Sequence, residues 1–298
     1  MVLLDPRRML VHSVLRYMIR KRPDETAGDY ADARKHNPDP YAPPTGKAAE
    51  GLVITEHDLD GVPMFRIRPE QDSSRRCFVY FHGGSFVGQI VSAQWELMMD
   101  LARRSGGTCL VPIYPLAPDE TAMQMTQRAA SVVTGAIQEF GADNVSLVGD
   151  SSGGAVVVAA TQRLRDMSAE LPGRLILLAP WIDLTMTHPD QPAMERRDLM
   201  VRRDFLLSAA HLYAAGRPLD DPLVSPLYGD FTGLPPMHVF TGARDSVVTD
   251  SRELVKRVRE AGGEIELVEA PRMQHVYPIF AMLPEARAAR RAIADLIG

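Results

Sequence analysis

The stretch Val145-Ser146-Leu147-Val148-Gly149-Asp150-Ser151-Ser152-Gly153-Gly154 decides how this chain is read. A β-like apolar run leads into Gly-Asp-Ser-Ser-Gly-Gly, and Ala155–Leu164 beyond it has helical character. A strand that turns straight into a helix brings backbone segments too close for side chains, which accounts for glycines on both sides of the serine. Such a turn strains the serine and exposes its hydroxyl, while the helix N-terminus behind it favours developing negative charge. A phosphate-binding turn would want Lys in the loop or G-x-G-x-x-G spacing, and both are absent. Ser151 is therefore expected to be a nucleophile.

Two further signals lie outward from it. Upstream, His82-Gly83-Gly84-Ser85-Phe86 directly follows the apolar run Cys77–Phe81. Successive glycines after a strand leave backbone N–H groups unobstructed, and the oxyanion of acyl transfer needs such donors. Downstream, Asp245 and His275 each sit just past a strand-like run, where open parallel sheets place their sites. Ser, acid, His is the chain order of one known kind of hydrolytic triad. In that arrangement His275 accepts the proton of Ser151, and Asp245 fixes the imidazole tautomer. Turnover is expected to rise with pH as His275 deprotonates, with a midpoint near ~6–7 for an ordinary histidine. Asp250 is a competing acid, but its place at a helix start suits an N-cap. Asp150 is expected to anchor the oxyanion loop by hydrogen bonding, a supporting role, and His82 to be structural.

The rest of the chain supplies a frame. Leu52–Leu59 and Val62–Arg68 flank Asp60-Gly61, a hairpin signal. Six more strand-like runs follow: Cys77–Phe81, Thr108–Ile113, Val145–Val148, Leu175–Ala179, Met237–Thr241 and Ile265–Glu269. Helical patterns over 93–104, 122–140, 153–167, 250–261 and 284–297 alternate with them. This predicts an α/β fold with a mostly parallel eight-stranded sheet, helices on both faces and a helical cap. Residues 186–222 are too long for a simple crossover and contain the helix-like Asp204–Ala215, so they are expected to form a cap insertion. Residues 1–50 are expected to complete the cap, with 51–185 and 223–298 as the two parts of the core. Within 1–50, Met1–Arg22 reads as a basic amphipathic helix, and 23–50 as an irregular connection rich in Pro, Asp, Gly and Ala.

The 298 residues are 45% apolar and 24% charged, which excludes wholesale disorder. With 33 basic against 38 acidic residues, the chain lacks the footprint of a nucleic-acid binder. Cys77 and Cys109 form no CxxC pair and read as buried thiols, and the histidines show no metal-like pairing. No uncharged apolar run approaches the ~18–20 residues of a membrane span, and Arg16 breaks any secretory-signal pattern. A cytoplasmic protein is expected. The basic helix could make weak contact with a membrane surface, and a homodimer is left open. Glu195-Arg196-Arg197-Asp198 reads as a solvated cap surface.

At these residues the sequence resembles the α/β-hydrolase esterases related to hormone-sensitive lipase, over roughly 75–280. His82-Gly83-Gly84 is similar to that family's oxyanion motif, and Gly149–Gly154 to its GDSAGG elbow with Ser152 for Ala. Pro180-Trp181-Ile182-Asp183-Leu184, Asp221-Pro222 and Gly233-Leu234-Pro235-Pro236 also occur there. Ser246-Val247 departs from the Pro-Leu usual after the acid. The resemblance implies a catalytic Ser151, Asp245 and His275, an oxyanion hole from the N–H groups of Gly83, Gly84 and Ser152, and a structural place for Asp183. Ser85, Phe86, Trp181, Phe205 and Val276 are expected to contact a small-molecule ester substrate, with no cofactor and no metal. A carboxylesterase for short- to medium-chain acyl esters is expected. The alternatives are an amidase, deacetylase or arylformamidase on the same triad, or a non-catalytic small-molecule receptor on the same fold, which the presence of His275 disfavours.

Overall fold

The structure, a computed structural model, describes residues 26–36, 41–59, 62–71 and 74–298. In chain order its elements are α1 (Ala27–His36), β1 (Leu52–Leu59), β2 (Val62–Pro69), β3 (Cys77–Phe81), α2 (Ser92–Ser105), β4 (Thr108–Pro112), α3 (Ala122–Phe140), β5 (Val145–Asp150) and α4 (Ser152–Asp166). They continue with β6 (Arg174–Leu178), α5 (Gln191–Glu195), α6 (Arg203–Ala214), β7 (Met237–Gly242), α7 (Val248–Glu260), β8 (Ile265–Ala270) and α8 (Pro284–Ile297).

The strands form one sheet in the order β1-β2-β4-β3-β5-β6-β7-β8. β1 and β2 are antiparallel with Leu59 opposite Val62, and β2 is antiparallel to β4. The remaining neighbours are parallel. The Asp60-Gly61 turn and the basic stretch Met1–Arg22 lie outside the described residues.

Every side chain of β3 and β5 is buried, because each strand face carries helices. The period of two then splits the runs cleanly. Phe78, Tyr80 and Val148 join Trp95, Met98 and Ile293 of α2 and α8. Val79, Phe81 and Leu147 join Val133, Val156 and Leu254 of α3, α4 and α7 on the other face. Each such fully buried side chain contributes about 1.5–3 kcal/mol, so this double layer holds the strand ends firmly in place. Cys77 and Cys109 are buried free thiols on adjacent strands, and desolvation raises both above the ordinary thiol range.

The cap departs from expectation at one end. Residues 23–50 are not irregular throughout, since α1 occupies Ala27–His36. Thr26 and Asp29 cap its start reciprocally: the Thr26 N–H donates to Asp29 Oδ2 (3.0 Å) and the Asp29 N–H to Thr26 Oγ1 (3.1 Å). Only Ala27 and Ala31 are buried on this helix, too few apolar positions to show a period. Ala27 N–H donates to Ser208 Oγ of α6 (3.2 Å), and the Tyr30 ring meets Phe205 edge-on at 6.4 Å. Arg34 latches the helix to the core through the Val87 carbonyl at 2.7 Å. Residues 186–222 carry α5 and α6. Among the described residues, no helix is long and apolar enough to cross a membrane.

Candidate active site

β5 ends at Asp150, α4 begins at Ser152, and Ser151 alone makes the turn, with φ 53° and ψ −123°. A β-carbon on Gly153 would overlap the Phe81 carbonyl, so the neighbouring strand sets the need for glycine there. The Ser151 carbonyl accepts N–H groups from Gly154 (2.9 Å) and Trp181 (3.0 Å), which hold the strained turn in place.

Three strand ends bring the expected residues together. The loop after β7 carries Asp245 and the loop after β8 carries His275. His275 Nε2 lies 2.9 Å from Ser151 Oγ, and His275 Nδ1 lies 2.9 Å from Asp245 Oδ2. Asp245 is fully buried, and its Oδ1 accepts the Val247 N–H at 2.9 Å. Burial alone would hold the His275 imidazole neutral. The attraction and hydrogen bond of Asp245, with the charges of Asp198 and Asp150, outweigh burial and push it up to about 9.

Asp250 does not compete for His275. Its Oδ2 accepts the N–H groups of Ile182 (3.0 Å) and Asp183 (2.9 Å). Nor is it the N-cap expected of it, because α7 begins two residues earlier, at Val248. Asp183 in turn accepts from the Thr185 N–H (3.0 Å) and hydroxyl (2.6 Å) and from the Tyr228 hydroxyl (3.2 Å).

The glycine loop differs from the sequence reading at one atom. Gly83 N–H donates to Asp150 Oδ1 at 2.8 Å, so it is committed to the loop and is not free for an oxyanion. Tyr80 and Gln94 donate to the same carboxylate. Asp150 is thus the anchor it was expected to be, and Gly83 is part of that anchorage. Ser152 adds a tie that sequence reasoning missed, since its hydroxyl accepts the Phe86 N–H at 3.2 Å. Alanine, usual in the related motif, could not do this. His82 stacks on Tyr114 at 4.5 Å, and burial lowers its pKa, consistent with a structural residue.

A cavity of about 330 Å³ opens over Ser151 and His275. Its walls include Tyr30, Val87, Val201, Phe205, Leu206 and Val276, and Ser85 stands beside the glycine loop. Ser85, Phe205 and Val276 therefore lie where substrate contact was expected. Phe86 and Trp181 do not: neither lines this cavity. Left-handed backbone at Phe86 (φ 63°) goes with a ring stacked at 3.7 Å on Tyr213 and packed against fully buried Trp181. Ser85 (φ 55°) and Val276 (φ 45°) are also left-handed, so strained residues border the nucleophile from two loops.

Asp198 is a second correction. It was expected on a solvated surface, yet its Oδ1 accepts N–H groups from Met200 (2.7 Å) and Val201 (3.0 Å), and its Oδ2 that of Ser246 (2.7 Å). Burial, with the Asp245 charge, pushes its carboxyl up to about 6. Among the described residues, no cluster of His, Cys, Asp and Glu is placed to hold a metal ion.

A strained serine after β5, a buried carboxylate after β7 and an imidazole after β8 define a hydrolase of the α/β type. The model of the alpha/beta hydrolase fold family matches residues 78–279. An acetyl-hydrolase of Streptomyces hygroscopicus is 30% identical over 225 residues, covering 75% of each chain. A triacylglycerol lipase of Mycobacterium tuberculosis is 30% identical over 234 residues, 78% of this chain, which spans only 49% of the lipase's length. The crystal structure of an esterase from the bacterial hormone-sensitive lipase family superposes with a TM-score of 0.85 at 28% identity, covering 99% of this chain and 98% of the other. The chain belongs to the α/β-hydrolase family, in its branch of hormone-sensitive-lipase-like esterases.

Proposed function

We propose that this protein is a serine carboxylesterase that hydrolyses short- to medium-chain acyl esters through an acyl-enzyme intermediate. The observation that carries the reading is the unbroken chain of two 2.9 Å contacts from Asp245 through His275 to Ser151 at the floor of a largely apolar cavity. Ser151 Oγ attacks the ester carbonyl as its proton passes to His275 Nε2. The carbonyl oxygen becomes an oxyanion. With the Gly83 N–H committed to Asp150, its donors are the backbone N–H groups of Gly84, Ser85 and Ser152. Asp245 holds Nδ1–H and balances the imidazolium. His275 then gives its proton to the departing alkoxide and the alcohol leaves. A water next attacks the acyl carbon as its proton passes to His275, and His275 returns that proton to Ser151 Oγ as the acyl–Oγ bond breaks and the acid is released.

The cavity volume lies at the low end of the ~300–1,000 Å³ of small-molecule pockets, which supports short acyl groups over long ones. An alkyl p-nitrophenyl phosphonate is expected to phosphonylate Ser151 with one-to-one stoichiometry and to abolish hydrolysis of p-nitrophenyl butyrate. Mass spectrometry of the tryptic peptide locates the adduct. An adduct elsewhere with full loss of hydrolysis would overturn the reading.

The electrostatics also set a direction for pH. Catalysis needs neutral Nε2, so hydrolysis rises as the imidazolium deprotonates. The Asp245, Asp198 and Asp150 charges raise that equilibrium above the ordinary value of 6.5. The acid limb of kcat/KM is therefore expected above 6.5, higher than an ordinary histidine would place it. A limb at or below that value in a steady-state pH profile would contradict this account of the charges around the ring.

A further inference from the structure

One carboxylate of the cap reaches into the loops that carry the acid and the base. Asp198 Oδ1 holds the N–H groups of Met200 (2.7 Å) and Val201 (3.0 Å), two residues that line the substrate cavity. Its Oδ2 holds the N–H of Ser246 at 2.7 Å, one residue past Asp245. The adjoining cap residues grip the other loop. Leu199 N–H donates to Gln274 Oε1 at 2.9 Å, and Gln274 Nε2 donates to the Arg197 carbonyl at 3.4 Å, one residue before His275. Five consecutive cap residues, Arg197 to Val201, thus either face substrate or bind the immediate neighbours of Asp245 and His275. Proline at position 246, usual in the related sequences, would have no N–H to offer, so the Asp198–Ser246 bond is available to this chain through its serine.

We propose that Asp198 is a positioning residue that ties the cavity-lining cap residues Met200 and Val201 to the loop of Asp245, beside the Leu199–Gln274 bond to the loop of His275, and lends its negative charge to the imidazolium formed in turnover. The inference rests on the serine-esterase reading above. The charges bearing on the His275 ring come from Asp245 in the loop after β7, Asp198 in the cap and Asp150 at the end of β5. Asp198 is the only one of the three that the cap supplies. Its carboxyl, pushed up to about 6, is ionised at neutral pH and loses its charge as the medium turns mildly acid. Substrate that displaces Met200 or Val201 pulls, through one carboxylate, on the loop that orients the base.

The test is a pH profile of p-nitrophenyl butyrate hydrolysis by the full-length Asp198→Asn variant. Asparagine keeps the shape and one acceptor oxygen but removes the charge and one partner. kcat is expected to fall about tenfold, the scale of a small misplacement in a reacting group. The acid limb of kcat/KM is expected to move down by about 0.5–1 pH unit, as for loss of one nearby charge. A purely structural role would lower stability and activity without moving the limb, so a limb coincident with the parent's overturns the proposal. Ser246→Pro provides a second reading should the first variant fail to fold, because it deletes the N–H and leaves the carboxylate charged. Its kcat is expected to fall several-fold with KM and the limb nearly unchanged, and a parental kcat overturns the tie. Both variants are read against a parent enzyme whose turnover depends on Ser151, so failure here leaves the esterase reading standing.

Discussion

Replacing Ser151 with alanine is expected to lower kcat for p-nitrophenyl butyrate by roughly 10⁵- to 10⁶-fold, to the residual level that binding and oxyanion contacts supply alone. The size follows from the unit nature of the machinery. On the proposed mechanism, loss of Oγ removes the acyl-enzyme and leaves His275 no serine proton to accept, while the donors at Gly84, Ser85 and Ser152 remain for the slow direct attack of water. The fold should be indifferent to the change. Ser151 already carries a β-carbon at φ 53°, and its backbone ties to Leu178, Gly154 and Trp181 remain. A thermal midpoint within a few degrees of the parent's, measured alongside the loss of turnover, separates chemistry from unfolding. Retention of a substantial fraction of parental kcat would remove Ser151 from the reaction.

The second large effect is expected at Asp245→Asn, with a loss of roughly 10⁴-fold in kcat and little change in KM. Both oxygens of Asp245 are engaged, Oδ2 with His275 and Oδ1 with the Val247 N–H. An amide that keeps its oxygen toward Val247 turns its NH₂ toward His275 Nδ1. The imidazole then places its single proton on Nε2 and faces Ser151 as a donor, unable to take the hydroxyl proton. The acid limb should also drop, because the strongest attraction holding the imidazolium is gone. The measurement is kcat and KM across pH. A loss below about tenfold, far short of the scale of a missing triad acid, would mean that another carboxylate supports the base. Asp198, whose charge also bears on the ring, is then the first to examine.

Much of this architecture was legible in the residues. The runs at 77–81 and 145–148 are buried on both faces, so their apolar character does not depend on a particular partner. The elbow was legible because its glycines answer a demand built into any strand that turns straight into a helix: Gly149 lies against the Gly153 carbonyl and Gly153 against the Phe81 carbonyl of the neighbouring strand. The order of Ser151, Asp245 and His275 placed each past a strand before any distance was known. What stayed hidden depends on contacts across long stretches of chain. Gly83 looks like a free donor until Asp150, 67 residues on, takes its N–H. Phe86 looks like a wall of the pocket until a left-handed φ comes with a ring stacked on Tyr213. Asp198 sits in Glu-Arg-Arg-Asp, a pattern that usually meets water, and only the packing of the cap encloses it. The α1 helix escaped because its buried face is two alanines, though Thr26 and Asp29 at its start were a capping signal that could have been noticed.

The left-handed backbone at Ser85, Phe86, Ser151 and Val276 has a bearing on how the enzyme fails. Each such residue costs of order 1–3 kcal/mol and persists only while its surroundings over-determine it. Warming or mild denaturant slackens those surroundings by degrees, and the segments with most to gain from letting go are the two loops and the elbow. Inactivation should consequently run ahead of the collapse of helical circular dichroism, with the pocket mouth as the fuse of the molecule.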